Sequence, residues 1–294
     1  MAFSLLNIAW LADGNAYVCK RVFCVYLALL MWVAVTPAWA AFDEIYKLNI
    51  GGSVTDFDTT LRINSRDDSI DNEIELEEGL GFDSTVRVGF IRGFWRMANR
   101  HRLSVWYTPT RRTSELTLQD DIDAGGNIIK AGAYVGTSVR THVFDIEYLY
   151  SFYKRPRIEL GITAGLYWLN SVAELTAAGD IVIEGESEPV FRSDYEANQR
   201  LIAPLPLIGL TADYEINDKW RVNAEARFFD VTINDIDGYL LSSSLGTEYY
   251  FTKHVGLGTS LVWFDLRVRH NGVVFINTLS YEYAGIQAYL ALKY

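Results

Sequence analysis

The chain has 294 residues, 50% of them hydrophobic and 14% aromatic, and carries 37 acidic against 26 basic side chains. This acidic balance argues against nucleic acid as a partner, because phosphate backbones bind basic surfaces. A transmembrane helix after residue 40 is also excluded, because it needs about 20 apolar residues and the longest apolar run, Leu201–Ala212, is interrupted by Pro204 and Pro206.

The first 40 residues have the order of a secretion signal. Lys20-Arg21 precedes an apolar core, Val22–Val35, and the small-residue site Ala38-Trp39-Ala40 follows. A positively charged start, a short apolar core and an A-x-A cleavage site are typical of secreted proteins. We therefore predict a signal peptide over residues 1–40, with a translation start near residue 18. A membrane anchor is the alternative.

The predicted mature chain, residues 41–294, is slightly more acidic than the precursor, since cleavage changes the formal charge from −11 to −12. Cys19 and Cys24 both lie in the predicted signal. A disulfide, a cysteine nucleophile and a cysteine metal site are therefore excluded for the mature chain.

Strict alternation of apolar and polar residues recurs along the mature chain. From Trp220 to Phe228 every even position is apolar and every odd position is polar, and Phe144–Phe152 and Ile158–Trp168 follow a similar pattern. A transmembrane barrel strand shows this alternation because one face contacts lipid and the other lines the lumen. Aromatic residues near the segment ends are typical of a membrane interface. A soluble β-sandwich is the alternative.

Short turns and longer polar stretches separate these segments in alternation, which predicts an all-β fold. We expect a closed antiparallel transmembrane β-barrel of about ten strands, with eight or twelve as alternatives. Both termini would be periplasmic, because such barrels have short periplasmic turns and long outer loops. The predicted strands are 45–64, 83–98, 102–119, 132–153, 157–177, 198–216, 219–234, 239–252, 255–269 and 276–294.

Two local irregularities are expected within this pattern. The alternation changes phase near Ile91 and Arg92, which predicts a β-bulge. The sequence Asp235-Ile236-Asp237-Gly238 predicts a tight Asp-Gly turn between two strands. A loop this short is a poor candidate for a binding site.

The stretch from residue 65 to residue 83 is the most acidic part of the chain. It could hold divalent cations near lipopolysaccharide, but a solvated face is favoured because a charge run alone is weak evidence of a ligand. The later sequence Asp121–Gly125 lacks the remaining ligands of a calcium loop. We predict no metal site and no cofactor.

Outer-membrane proteases of ten strands place paired aspartates and an Asp-His couple at the outer rim. The nearest candidates for such a group are Asp120, Asp121, Asp265 and His270. They form no recognisable motif, and acidic residues are common at barrel rims, so the criteria for a catalytic site are not met. The sequence therefore predicts no enzymatic activity and no catalytic residue.

A barrel of ten strands is expected to have a narrow, polar and largely plugged lumen, since eight strands are filled by side chains and open channels appear at 16–18 strands. Charges removed from water need partners, which favours a structural salt-bridge network over a gated conduit. The residues predicted to point inward are Arg87, Asp145, Glu147, Glu159, Asp213, Glu215, Arg221, Asn223, Glu225, Arg227 and Glu248.

The last segment has apolar residues at alternate positions and ends on an aromatic residue. It resembles the C-terminal signal by which the barrel-assembly machinery recognises bacterial outer-membrane proteins. The residues that carry this resemblance are Ile286, Ala288, Leu290, Leu292 and Tyr294.

Four longer blocks strengthen the assignment of a class. They are RHRLSVWY, YSFYKRPRIELGITAGLYW, APLPLIGLTADYEINDKWRV and HVGLGTSLVWFDL. The mature chain resembles proteobacterial outer-membrane β-barrel proteins, broadly similar to the OmpA-type membrane domain. This resemblance implies the fold, the outer membrane as location, and lipid with lipopolysaccharide as neighbours, but no chemistry.

The sequence predicts a structural or surface-interaction barrel without enzymatic activity. A narrow passive pore for ions or small solutes is the first alternative. An outer-membrane hydrolase, either an omptin-like protease or a lipid-A-modifying enzyme, is the second.

Overall fold

The computed structural model describes residues 42–65, 71–119, 121–123, 127–182, 188–233, 236–271 and 275–294. The predicted signal peptide therefore lies outside the described residues. Within them, no helix is long and apolar enough to cross a membrane, and the helix present is α1 (Leu76–Gly79). The strands are β1 (Tyr46–Ser65), β2 (Asp71–Glu75), β3 (Thr85–Ala98), β4 (His101–Thr117), β5 (Ile122–Asp123), β6 (Ile128–Ile129), β7 (Tyr134–Arg155), β8 (Ile158–Val182), β9 (Val190–Glu215), β10 (Trp220–Ile233), β11 (Ile236–Tyr250), β12 (Val255–Asn271) and β13 (Phe275–Lys293).

Ten long strands form a closed antiparallel ring in the order β1-β3-β4-β7-β8-β9-β10-β11-β12-β13. The ladder between β13 and β1, from Lys47 paired with Lys293 to Ser65 paired with Phe275, closes the ring. Closure satisfies the backbone groups that an open sheet edge would expose to lipid. The predicted all-β, ten-stranded transmembrane barrel is confirmed. The short strands β2, β5 and β6 add to it outside this ring.

The two ends of the ring differ, and we call them the turn end and the loop end. Short connections join the strands at the turn end, at residues 99–100, 156–157, 216–219 and 251–254. From there the outer face of the ring is apolar for about ten residues per strand, the length that crosses a bilayer. We call this part the membrane band. Its last outward aromatic side chains toward the loop end are Tyr107, Phe144, Trp168, Phe228 and Trp263.

Beyond the membrane band the two faces of the strands exchange character. In β12, the outward positions after Trp263 are Asp265, Arg267 and Arg269, whereas the alternate positions Phe264, Leu266 and Val268 are buried. The strands β7, β8 and β10 change in the same way. We call this part the extension. It is long, because β8 has 25 residues and β9 has 26, against about ten needed to cross the bilayer.

Two seams divide the extension into two sheets. The ladder between β3 and β4 stops at Ile91 paired with Tyr107, and the ladder between β9 and β10 stops at Ile208 paired with Phe228. On one side β4, β7, β8 and β9 remain paired with one another, and on the other side β10, β11, β12, β13 and β1 do. The ring is therefore a barrel in the membrane band and two facing sheets beyond it.

Prolines stand where each seam begins. Pro109 of β4 and Pro206 of β9 each lie two residues beyond the last pair of the broken ladder. In β9 the N–H of odd residues faces β8, as Glu215 shows by donating to the turn before β8, while Ile216 donates toward β10. Pro204 and Pro206 occupy even positions, where a backbone N–H would face β10. Proline has no N–H, so it removes a donor only on that side of the strand. Proline is tolerated in a sheet only at such an edge.

The two sheets of the extension pack against each other through an apolar core. Phe264 of one sheet lies against Tyr283 with ring centroids 4.8 Å apart and against Tyr167 of the other sheet at 5.9 Å. Gly238 makes room for this packing, because a Cβ there would lie 2.6 Å from the ring of Phe229. The buried members of the core are Tyr167, Leu169, Leu205, Leu207, Phe229, Leu240, Phe264, Leu266 and Val268.

Two local predictions are wrong. Val88, Phe90 and Arg96 of β3 are all buried, so the alternation continues through residues 91 and 92 without a bulge, and the register shifts later, between Arg96 and Ala98. The predicted Asp-Gly turn also fails, because Asp237 and Gly238 lie inside β11 and pair with β10 and β12. In both places tertiary pairing overrides a local sequence signal.

Candidate functional site in the lumen

Ion pairs fill the lumen at the turn end. Arg221 of β10 donates to Glu44 through Nη1 at 2.7 Å and to Glu215 through Nη2. Its guanidinium also lies over the ring of Phe42, 4.8 Å from the centroid. All three charged side chains are at least nine-tenths buried. The segment before β1 therefore contributes Glu44 to the inside of the barrel.

A second acid at this level is held by a cation and two phenols. The Nζ atom of Lys47 lies 2.6 Å from Glu248, which also accepts hydrogen bonds from Tyr250 at 2.8 Å and Tyr289 at 3.1 Å. The ring of Tyr289 lies over Gly258 of the neighbouring strand β12, where a Cβ would lie 2.3 Å from that ring. Glycine at this position gives the aromatic side chain the space to reach Glu248.

Two further pairs complete the turn-end layer. Arg96 donates to both oxygens of Glu159, at 2.8 and 2.9 Å, and Ser151 also donates to that carboxylate. Arg102 lies 3.2 Å from Asp213. The bidentate geometry and the serine bond stabilise a carboxylate that is fully buried, where an unpaired charge would be costly.

The middle of the lumen holds a cluster with more acids than cations. Arg227 lies 2.5 Å from Glu225, 2.9 Å from Glu147 and 3.4 Å from Asp145, and Arg92 donates to Glu225 at 2.6 Å. Both guanidiniums lie 5.2 Å from the centroid of Trp106. The two oxygens of Asp145 have no hydrogen-bond partner among the described residues, so the ion pair with Arg227 is its closest compensation.

At the loop end a short segment folds over the seam between β3 and β4. Arg112 of β4 donates to Glu77 of α1 at 2.6 Å and to the carbonyl oxygen of Asp83 at 3.1 Å. Its guanidinium lies between the rings of Phe57 and Phe82, 5.2 and 4.9 Å from their centroids. The second carboxylate oxygen of Glu77 accepts a hydrogen bond from the backbone N–H of Thr59 in β1, a group that β3 leaves unpaired. One arginine thus fastens this segment across the seam.

The structure places the predicted lumen residues as follows. The prediction that Arg87 points inward is wrong. Its side chain is exposed on the outer face, near the loop-end start of β3, where an outward cation reaches water. Asn223 is half-buried and lies against Gly246 inside the ring. The acids and arginines that lie together in the layers described above are Asp145, Glu147, Glu159, Asp213, Glu215, Arg221, Glu225, Arg227 and Glu248.

Sequence reasoning missed most of the cations. The predicted inward set contained seven acids and three arginines, an imbalance that a buried network cannot sustain. That imbalance was the available signal, because it required further inward cations on β1, β3 and β4. The residues it missed are Glu44, Lys47, Glu77, Arg92, Arg96, Arg102 and Arg112.

The other sequence candidates do not form a site among the described residues. Asp121 accepts a hydrogen bond from Lys130 at 2.7 Å, and this bond lowers the pKa of its carboxyl. Asp265 is half-buried on the outward face of another sheet. Asp120 and the side chain of His270 lie outside the described residues. No group of three described His, Cys, Asp or Glu side chains is arranged to hold a metal ion.

The predicted assembly residues at the chain end lie on the outer face of β13. Ile286, Leu290 and Tyr294 are exposed there, as is Ala288, whereas Leu292 is half-buried. Leu292 and Tyr294 border a concavity of about 590 Å³ at the turn end, which is also lined by Tyr46, Trp95, Val105 and His254 among others.

Comparison with known proteins finds similarity of structure without similarity of sequence. No protein family and no curated sequence matches the chain. The outer membrane protease OmpT from Escherichia coli is similar over 88% of this chain and 99% of its own, with a TM-score of 0.56 and 12% identity. The Pseudomonas putida toluene transporter TodX covers 86% and 91% at 9% identity with a TM-score of 0.38.

A third neighbour is Ail, the attachment invasion locus protein of Yersinia pestis, at 8% identity over 81% of this chain and 98% of its own, with a TM-score of 0.27. The TM-scores of TodX and Ail are below 0.5, so only the OmpT comparison bears on the fold. It shows that this chain shares its fold with an outer-membrane β-barrel, and it carries no activity with it.

Proposed function

We propose that this chain is a non-conducting barrel of the outer membrane, with its termini in the periplasm and its extension outside the cell in a surface-interaction role. The observation that carries the proposal is that described side chains occupy the interior at two successive levels. Ion pairs occupy the membrane band, and the apolar core joins the two sheets beyond it. An extension of this size serves no purpose in crossing the bilayer.

The sequence of layers argues against a passive pore. An ion that passed Arg227 and its carboxylates would next meet Phe229, Phe264 and Leu266, which are nine-tenths buried against one another. Moving a charge through such an apolar layer costs far more than passage through water.

Single-channel recording in planar lipid bilayers tests the proposal. The purified mature protein is expected to insert without discrete conductance steps, whereas a general porin inserted in parallel reports that the membranes record openings. Heat-modifiable mobility on a gel verifies that the inserted protein is folded. Reproducible openings of the folded wild-type protein would refute the structural role and support the pore.

The proposal includes the absence of enzymatic activity. Asp121 is bound to Lys130, and Asp265 lies on the outward face of a different sheet, so these two candidates do not share a cleft. Peptide and lipid A hydrolysis assays with the folded protein in lipopolysaccharide are expected to give no turnover above the rate without protein. Turnover that is lost in an Asp265→Asn variant would overturn this part of the proposal.

Lipid and lipopolysaccharide remain the proposed neighbours of the membrane band, and the barrel-assembly machinery the proposed partner of β13. Glu75, Glu78 and Asp83 of the acidic stretch are exposed, but Glu77 is bound to Arg112. We therefore assign no divalent cation to this stretch.

A further inference from the structure

In the part of the chain that the structure describes, one edge of the extension has no neighbouring strand. If the β9–β10 ladder continued in register, the last residue of β10, Ile233, would pair with Ala203. The part of β9 from Val190 to Ile202 therefore extends past the end of β10. Among the described residues, it pairs with β8 alone.

The two seams differ in what covers them. The seam between β3 and β4 is crossed by the segment 76–83, which Arg112 fastens, and Ser114 of β4 donates to the carbonyl oxygen of Leu80. At the other seam, the features of the described residues that oppose an added strand are Pro204 and Pro206 near its base. Above them, no proline interrupts residues 190–203.

The direction of the unpaired backbone groups follows from the register. The β8–β9 ladder runs without a shift from Tyr214 to Tyr195, so parity is preserved over this length. Odd residues face β8, and even residues face the open side. The N–H and C=O groups of Glu196, Asn198, Arg200 and Ile202 are therefore presented to a further strand.

The side chains around this edge define a candidate contact surface. Val190 is 49% exposed and Phe191 is 70% exposed, although both are apolar. Beside them lies a cavity of about 260 Å³, lined by Asn127, Ile181, Arg192, Asp194, Tyr195 and Glu196. Peptides that add to a sheet edge take their affinity from backbone bonds and their specificity from such side-chain pockets.

We propose that the edge of β9 over residues 196–202 binds an extended segment of another protein, which adds as a further strand and places a basic side chain beside Asp194 and Glu196. This inference rests on the proposed surface role and names its site. The basic side chain follows from charge complementarity, because the pocket has two acids to one arginine and the mature chain is strongly acidic.

A second copy of the chain does not fit this edge. Two barrels in one membrane are related by an axis along the membrane normal, so their β9 strands run in the same direction and tilt oppositely. With strand tilts of about 35–45° the two edges would cross at about 70–90°. A hydrogen-bonded ladder cannot form at that crossing angle, so the partner must approach from outside the membrane.

Fluorescence anisotropy with defined peptides tests the proposal. The probes are octapeptides of alternating valine and threonine that carry lysine, glutamate or serine at a central position, titrated with the folded mature protein in detergent. The lysine peptide is expected to bind most tightly. Asn198→Pro, which removes one open-side N–H, is expected to weaken it at least tenfold, whereas Asn198→Ala keeps the N–H and the affinity.

Amide hydrogen exchange on the wild-type protein provides a measurement that does not depend on the proline variant folding. The lysine peptide is expected to slow exchange at Glu196, Asn198, Arg200 and Ile202 and to leave the odd positions between them unchanged. Equal binding of the three peptides, equal affinity of the two variants, or protection at odd positions would overturn the proposal. So would a wild-type dimer that Asn198→Pro dissociates.

These outcomes are independent of the conductance recording. A silent bilayer with no peptide binding would leave the non-conducting barrel in place and remove the strand-addition site. Discrete openings together with peptide binding would do the reverse.

Discussion

The membrane band and the extension are built from the same ten strands, yet their interiors are opposite in character. Inside the band, Arg221 and Glu159 are buried in ion pairs, and inside the extension Phe264 and Leu266 are buried against aromatic rings. Outside, the order is reversed. The solvent around each part explains this difference, because lipid takes the apolar face of a strand and water takes the polar face.

The largest expected effect tests the charged interior of the band. Arg221→Ala leaves Glu44 and Glu215 buried without their cation, so we expect a loss of about 3–5 kcal/mol in the free energy of unfolding. The matched control is Arg140→Ala, whose pair with Glu174 in the extension is half exposed and is expected to contribute at most about 1 kcal/mol. Urea unfolding in lipid vesicles measures the free energy of unfolding of both variants. Equal losses would show that water reaches the charged interior of the membrane band.

The next effect tests the apolar interior of the extension. Phe264→Ala removes a ring from the core between the two sheets, so we expect a loss of about 3 kcal/mol, near the lower end for buried aromatic residues. Phe191→Ala, also in the extension but with its side chain 70% exposed, is the control and is expected to change stability little. Should the two variants unfold alike, the two sheets are not packed together.

A smaller effect tests the assignment of backbone direction at the seam. Ala197→Pro removes an N–H that faces β8 and is expected to destabilise the extension locally by about 1–3 kcal/mol. Asn198→Pro, one residue away, removes only an open-side donor and is expected to be nearly neutral. Limited proteolysis of the folded variants compares their local stability. If Asn198→Pro were cleaved faster than Ala197→Pro, the assignment of odd N–H groups to β8 and of even N–H groups to the open side would be wrong.

The smallest effect is a local dependence on pH at the loop end. The hydrogen bond from Lys130 lowers the pKa of Asp121, which also accepts the N–H of Ala131. A lowered pKa means that this stabilisation is present above the ordinary value of 3.8 and is lost as the pH falls through the lowered value. Exchange protection of the Ala131 amide, corrected for its intrinsic rate, should follow that course. Protection that falls equally in Asp121→Asn would exclude this cause.

Strand number and order could be read from the sequence, because alternation with period two is a local property. Trp220–Phe228 shows it in nine consecutive residues. The extension could not be read, since Phe264 and Trp263 are both apolar and aromatic, and only closure of the ring determines that one faces inward and the other outward. The length of the alternating segments was the signal in the sequence that the strands continue beyond the membrane.

The lumen network was predictable in its acids, and its pairing was predictable only across a short turn, where Arg221 lies opposite Glu215. Asp145, Glu147 and Glu225 could be placed from parity alone, whereas the partnership of Arg92 with Glu225 joins residues 133 positions apart. Arg87 was misplaced because a bulge was expected at residues 91 and 92. Without that bulge, Arg87 shares the outward face of β3 with Ile91 and Trp95. The apolar residues Val88 and Phe90 face inward instead, which only the closed ring determines.

The two proline seams determine how the molecule comes apart. Below them every strand is tied to both neighbours by backbone bonds, and above them the halves of the extension are tied to each other through side-chain packing. Warming should therefore melt the distal half as one cooperative unit while the bilayer-embedded half keeps its shape. The extension of such a protein would unfold and refold reversibly while its barrel stays inserted in the membrane.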